Sequence, residues 1–120
     1  MSRELIVLTD AVLITCVVQR GVADDVVSAA LEAGVQGATV FYARGTGVRQ
    51  RALGVLGVTV GAEKEVILFV VPSEQAELIF ERAYLAGKLD TPGMGLITMS
   101  PLEKMATYVP DDIVERFSSR

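Results

Sequence analysis

The 120-residue chain sets eleven lysines and arginines against fifteen acidic residues, and 51% of it is hydrophobic. That composition excludes a disordered tail or low-complexity linker and points to one domain over residues 1–120. The net charge of −4 excludes a global grip on nucleic acid, and the absence of histidine removes the commonest general base and transition-metal ligand.

In chain order, residues 11–18 (AVLITCVV) are β-branched and predict a buried strand, broken by Arg20-Gly21. Asp24 and Asp25 suit a helix N-terminus, and Val27, Ala30 and Leu31 form one apolar stripe behind them. Gly34 suits the left-handed position that closes this helix. Residues 39–43 (TVFYA) predict a second strand. Residues 45–61 carry glycines at 45, 47, 54, 57 and 61 and read as a mobile loop. Residues 66–71 (VILFVV) predict a third strand, closed by Pro72. Ser73 is the expected N-cap of a second helix with Glu74 and Glu77 in its first turn, running to about Ala86 and ended by Gly87. Residues 89–95 (LDTPGMG) are turn-rich, and residues 96–99 (LITM) predict a fourth strand stopped by Pro101. Pro110, Asp111 and Asp112 introduce a short terminal helix in which Ile113 and Phe117 share a face.

This order, strand–helix–strand twice over, predicts an α+β, ferredoxin-like βαββαβ domain: an antiparallel four-stranded sheet with two helices on one face. The bare face, made of apolar strands, is expected to meet other subunits. Cys16 sits inside an apolar strand and reads as a small buried hydrophobe; alone it forms neither a disulfide nor a zinc site. No run is long enough to span a membrane, the N-terminal run is too short for a signal peptide, and a cytoplasmic location follows.

Four stretches carry a family pattern. Gln19-Arg20-Gly21-Val22-Ala23-Asp24-Asp25-Val26 resembles a Lys-Pro pair followed by Leu-Asp-Asp-Val. Gly34-Val35-Gln36-Gly37-Ala38-Thr39-Val40 resembles Gly-Val-x-Gly-Met-Thr-Val, and Arg44-Gly45-Thr46-Gly47-Val48-Arg49-Gln50 resembles Lys-Gly-x-Gly-Arg-Gln with one residue inserted. Ala86-Gly87-Lys88-Leu89-Asp90 is similar to the start of a Thr-Gly-Lys-Ile-Gly-Asp-Gly-Lys loop. Together they resemble the PII signalling proteins, trimeric ferredoxin-like regulators of nitrogen and carbon metabolism.

The departures are specific. The segment at 45–61, equivalent to the family's long T-loop, is about half the expected length and has no tyrosine to modify. Met94 stands near a phosphate-binding lysine, Met105 or Thr107 where the family has an arginine pair, and Gln19 where it has a sealing lysine. Residues 1–10 precede the match as an N-terminal extension, and residues 110–120 form a C-terminal tail.

The resemblance implies a divergent PII-like homotrimer that senses a small anion, an adenine nucleotide (ADP, AMP or ATP) or a bicarbonate-like anion, in clefts between subunits. The short loop would then regulate a protein target such as a transporter or metabolic enzyme. Gly37, Ala38, Thr39, Gly45, Thr46, Gly47 and Gln50, with Lys88, Asp90, Gly93, Met94 and Gly95, are the candidate nucleotide residues. Glycines allow backbone N–H groups close to a phosphate, although they also serve plain turns. Arg44, Arg49, Arg51 and Lys64 are candidate anion ligands or solvated loop charges. Lys88 suits either a phosphate or the C-terminus of the second helix. A ligand-free scaffolding trimer is the alternative. The CutA-like copper-tolerance trimers share the fold, but without histidine copper has no support. No catalytic group, metal or firm cofactor is expected, because no carboxylate pair stands beside a nucleophile.

Overall fold

A computed structural model describes residues 5–44 and 63–112. The loop at 45–61 and the terminal helix beyond Asp112 lie outside the described residues, as do Gly45, Thr46, Gly47, Arg49, Gln50 and Arg51.

The elements are β1 (Val7–Leu8), β2 (Ala11–Gln19), α1 (Ala23–Glu32), β3 (Thr39–Arg44), β4 (Glu63–Pro72), α2 (Ser73–Ala86), β5 (Gly95–Leu102) and β6 (Met105–Ala106). The main sheet has the order β3-β4-β2-β5 and is antiparallel throughout. This is the expected ferredoxin-like architecture.

Alternation along the strands puts Ile14, Cys16 and Val18 of β2 and Ile67, Phe69 and Val71 of β4 on the helix face. There they pack on Val26 and Ala30 of α1 and Ala76, Ile79 and Ala83 of α2. Cys16 belongs to this core, and burial pushes its thiol up to about 11, so it is inert at neutral pH. The opposite face is open: Phe41 and Val70 are exposed on it. Burying the helix face at roughly 25 cal/mol per Å² is what holds the layers together.

Gly34 takes the left-handed φ of +111° that closes α1. Three local expectations are corrected. Pro101 does not stop β5, which runs on to Leu102; β5 is an edge strand, where an outward-facing N–H is dispensable. Ser73 is not the N-cap of α2. Pro72 holds that position in an extended conformation, and Ser73 is the first helical residue. Its N–H donates to the Asp10 carbonyl at 3.1 Å and its hydroxyl donates to the Asp10 carboxylate, so a residue far away in sequence secures the helix start. Finally, β4 begins at Glu63 rather than Val66, because Lys64 and Glu65 are drawn into the sheet and buried.

The small ribbon of β1 and β6 has no counterpart among the expected elements. Val7 pairs with Ala106 and Leu8 with Met105. These pairs keep the register of Ala11 with Leu102 and Val18 with Gly95, so β1–β6 continues the β2–β5 ladder after a two-residue break in each strand.

Candidate functional site

Among the described residues, the predicted Arg44, Lys64, Gly93, Met94 and Gly95 lie at one end of the sheet, where β2 and β3 end and β4 and β5 begin. Gln19 is the joint. Its Nε2 donates to the Gly93 carbonyl at 2.6 Å, and its Oε1 accepts from Lys64 Nζ at 3.1 Å. One side chain thus ties β2, β4 and the loop before β5 together on the open face. Lys64 is only 5% exposed, and burial lowers its pKa below the ordinary 10.5. Among the described residues no carboxylate lies within ion-pair distance of it, so its charge rests on an amide oxygen. A desolvated ammonium held this way favours an incoming anion.

The helix-face side of the same end is organised differently. Glu65, 7% exposed, accepts from the backbone N–H groups of Gly21 at 2.5 Å and Ala23 at 3.3 Å. Val22, at the N-cap position, offers no side-chain bond, so a carboxylate from β4 satisfies the N-terminus of α1. Beside it, Arg20 Nη1 meets Glu63 Oε2 at 2.5 Å in an exposed pair. Arg20, Glu63, Tyr42, Ala43 and Arg44 line an open cleft of about 510 Å³.

Strand alternation separates Arg44 from Lys64. Arg44 lies opposite Glu63 on the helix-face side, whereas Lys64 lies opposite Ala43 and points the other way. They do not form one patch within the chain.

The loop before β5 is a succession of tight turns. Thr91 N–H donates to the Lys88 carbonyl at 3.0 Å, and Met94 N–H donates to the Thr91 carbonyl at 3.2 Å. The Met94 amide is therefore committed to the chain itself. A Cβ on Gly95 would lie 2.0 Å from the Val17 carbonyl oxygen, so close strand approach alone requires glycine there. Gly93 has φ +80° and open space around it. Lys88 takes a left-handed φ of 55°, an uncommon conformation for a residue with a Cβ. Asp90 is exposed two residues on.

Gly37, Ala38 and Thr39 stand apart. All three are exposed. Thr39 pairs with Leu68 and Ala43 with Lys64, so Thr39 lies about 13 Å along the strand from the Lys64 end, and Gly37 farther still. Gly37 has neither a left-handed φ nor any atom near its missing Cβ. Among the described residues nothing demands glycine at 37.

Sequence reasoning missed Glu65, although an acidic residue flanked by Lys64 and a run of Val and Ile was a signal that charge enters the strand. It had named Gln19 only as a substitution. Among the described residues no cluster of three or more acidic, cysteine or histidine side chains is placed to hold a metal ion, and no helix is long and apolar enough to cross a membrane.

The family model for the nitrogen regulatory protein P-II matches residues 11–112. No curated protein sequence matches the chain. Among solved structures, the chain is similar to the crystal structure of Arabidopsis thaliana PII bound to citrate. The identity is 22%, the match covers 79% of each chain and the TM-score is 0.63.

Proposed function

The chain belongs to the nitrogen regulatory protein P-II family, and on that premise we propose that it is a cytoplasmic homotrimeric signalling regulator. It binds a small anion, an adenine nucleotide, in clefts between subunits and acts on a partner protein through the segment at 45–61. One observation carries the reading. The exposed Gly37–Thr39 stretch and the Gln19–Lys64–Gly93 cluster lie a strand's length apart in one chain. They can serve one ligand only if a neighbouring subunit supplies the former. The solved relative holds citrate, a small polyanion, which fits the same class of ligand. Lys64 supplies the desolvated cation, Gln19 sets its position against the Gly93 turn, and ligand occupancy shifts the population of loop conformations by its differential affinity.

Titration calorimetry of the whole protein with ATP, ADP, AMP and bicarbonate tests this. Met94, Met105 or Thr107, and Gln19 stand where the family pattern has cations, and each lost charged contact removes about 1.5–3 kcal/mol. ATP is therefore expected to bind no more tightly than ADP or AMP. Gly37→Val is expected to abolish binding and leave the trimer intact, because the fold places no demand on that glycine. Tenfold preference for ATP would refute the loss of the γ-phosphate contacts. No heat with any of these anions would leave a scaffolding trimer as the reading.

A further inference from the structure

The backbone ladder between β2 and β5 ends at Val18 and Gly95, one residue short of Gln19. There the Gln19 side chain takes over. Its Nε2 donates to the Gly93 carbonyl and its Oε1 accepts from Lys64 Nζ, whose strand flanks β2 on the other side. Among the described residues this is the one side-chain hydrogen bond that residues 88–94 receive. The Thr91 and Met94 amides only close turns on Lys88 and Thr91. Lys64 is buried and Gln19 half-buried, so water is a poor substitute for either partner. A primary amide has a donor end and an acceptor end, and both neighbours here are one-sided: the ammonium only donates and the carbonyl only accepts. The orientation seen is the one that satisfies both. An anion held by Lys64 would change that balance, because its oxygens are acceptors beside Oε1. A half-turn of the amide offers Nε2 to the anion and sets Oε1 against the Gly93 carbonyl, acceptor against acceptor. The last torsion of glutamine is broad and roughly two-fold, so the half-turn ends in an ordinary rotamer.

We propose that the Gln19 amide is a two-position latch: without an anion at Lys64 it holds the Gly93 turn, and an anion at Lys64 turns it over and releases that turn. The proposal rests on the anion reading of Lys64 and adds the route by which occupancy reaches the loop before β5. Gln19 is thus a positioning residue, and the coupling is reciprocal: a held turn weakens the anion. Hydrogen exchange at the Thr91 and Met94 amides, read by NMR on the whole protein with and without saturating ADP, tests it for wild type, Gln19→Glu and Gln19→Met. Circular dichroism verifies the fold of both variants. In wild type, ADP is expected to speed both amides roughly tenfold, the value of one hydrogen bond, and to shift the Gln19 side-chain NH2 resonances. Neither substituted side chain can donate to Gly93, so in both variants the two amides are expected to exchange fast without ADP, and in Gln19→Met ADP adds nothing. If ADP binds wild type and leaves its exchange unchanged, or speeds Gln19→Met equally, the latch is overturned and the anion site stands. If ADP slows the two amides in wild type and Gln19→Met alike, the ligand rests on the loop itself and the latch is wrong. If calorimetry finds no ADP binding, the anion reading falls and the latch with it.

Discussion

The two ends of the β2–β5 ladder share one register and have opposite chemistry. At the Gln19 end, polar side chains are pulled inward: Lys64 and Glu65 are buried, each held by a specific acceptor or donor. At the Leu5 end, apolar side chains are left outside, with Leu5 and Tyr108 in water. Each end breaks the ordinary burial rule in its own direction. The buried polar groups are held by hydrogen bonds within the chain, and the exposed apolar ones meet only water in the single chain. The backbone pairing is the same, so the difference lies wholly in the side chains.

The largest expected effect tests the backbone at the polar end. Gly95→Ala would place a methyl group 2.0 Å from the Val17 carbonyl, at a residue whose φ is +141°. The first pairs of the ladder must part to admit it, at a cost of about 3 kcal/mol or more. Urea unfolding reads this directly. A loss under 1 kcal/mol would mean that β5 does not approach β2 as closely as the ladder requires.

Next in size is the carboxylate at the start of α1. Glu65→Ala leaves the Gly21 and Ala23 amides without their acceptor, and hydrogen bonds to charged groups contribute about 1.5–3 kcal/mol. Amide exchange is expected to accelerate at the start of α1 while the Val7 and Leu8 amides keep their wild-type rates. Equal acceleration at both ends would show that the two are one cooperative unit and not separable regions.

Lys64→Met sharpens the contrast by making the polar end apolar. Anion affinity is expected to fall by roughly one to two decades, the value of one charge-assisted contact. Stability should respond in the opposite sense. Burial holds the folded-state pKa of Lys64 below its unfolded value, so the folded state releases its proton first as pH rises. Between the lowered pKa and the ordinary 10.5 the unfolded chain binds more protons, and wild-type stability therefore climbs with pH. The variant lacks that climb. Parallel pH profiles for the two proteins would refute the burial of a charge.

The fold was legible because its signals are local: the β-branched runs, Asp24-Asp25 at one helix start and Gly34 at its end all act within a few residues. What stayed hidden depends on distant partners. Asp10 secures Ser73 and Glu65 satisfies Gly21 and Ala23, and neither pairing has a spacing that a linear reading can recognise. Val7 and Leu8 are too short a run to announce a strand, and they become one only because β2 and β5 deliver Met105 and Ala106 opposite them. For the site, residue types were readable and sides were not. Arg44 and Lys64 were grouped by sequence, and only the register shows them on opposite faces.

The smallest expected effect concerns Lys88, which sits at the edge of the polar end. After α2, Gly87 keeps an ordinary helical φ of −80°, and the left-handed position falls on Lys88 at 55°. Glycine at 87 answers a different need: a Cβ there would press at 3.3 Å on Ala83 O, Leu89 and Val26, where the two helices meet. The chain thus spends its glycine on packing and leaves the strained turn to a lysine. For a residue with a Cβ that conformation costs about 1 kcal/mol relative to glycine. Lys88→Gly is therefore expected to stabilise the protein by about that amount, less what glycine loses in the unfolded chain. If the side chain serves an anion, the same variant must also bind nucleotide less tightly. A more stable protein with unchanged affinity would assign Lys88 to the turn alone, and a less stable one would show that its side chain contributes more to the end of α2 than its backbone conformation costs.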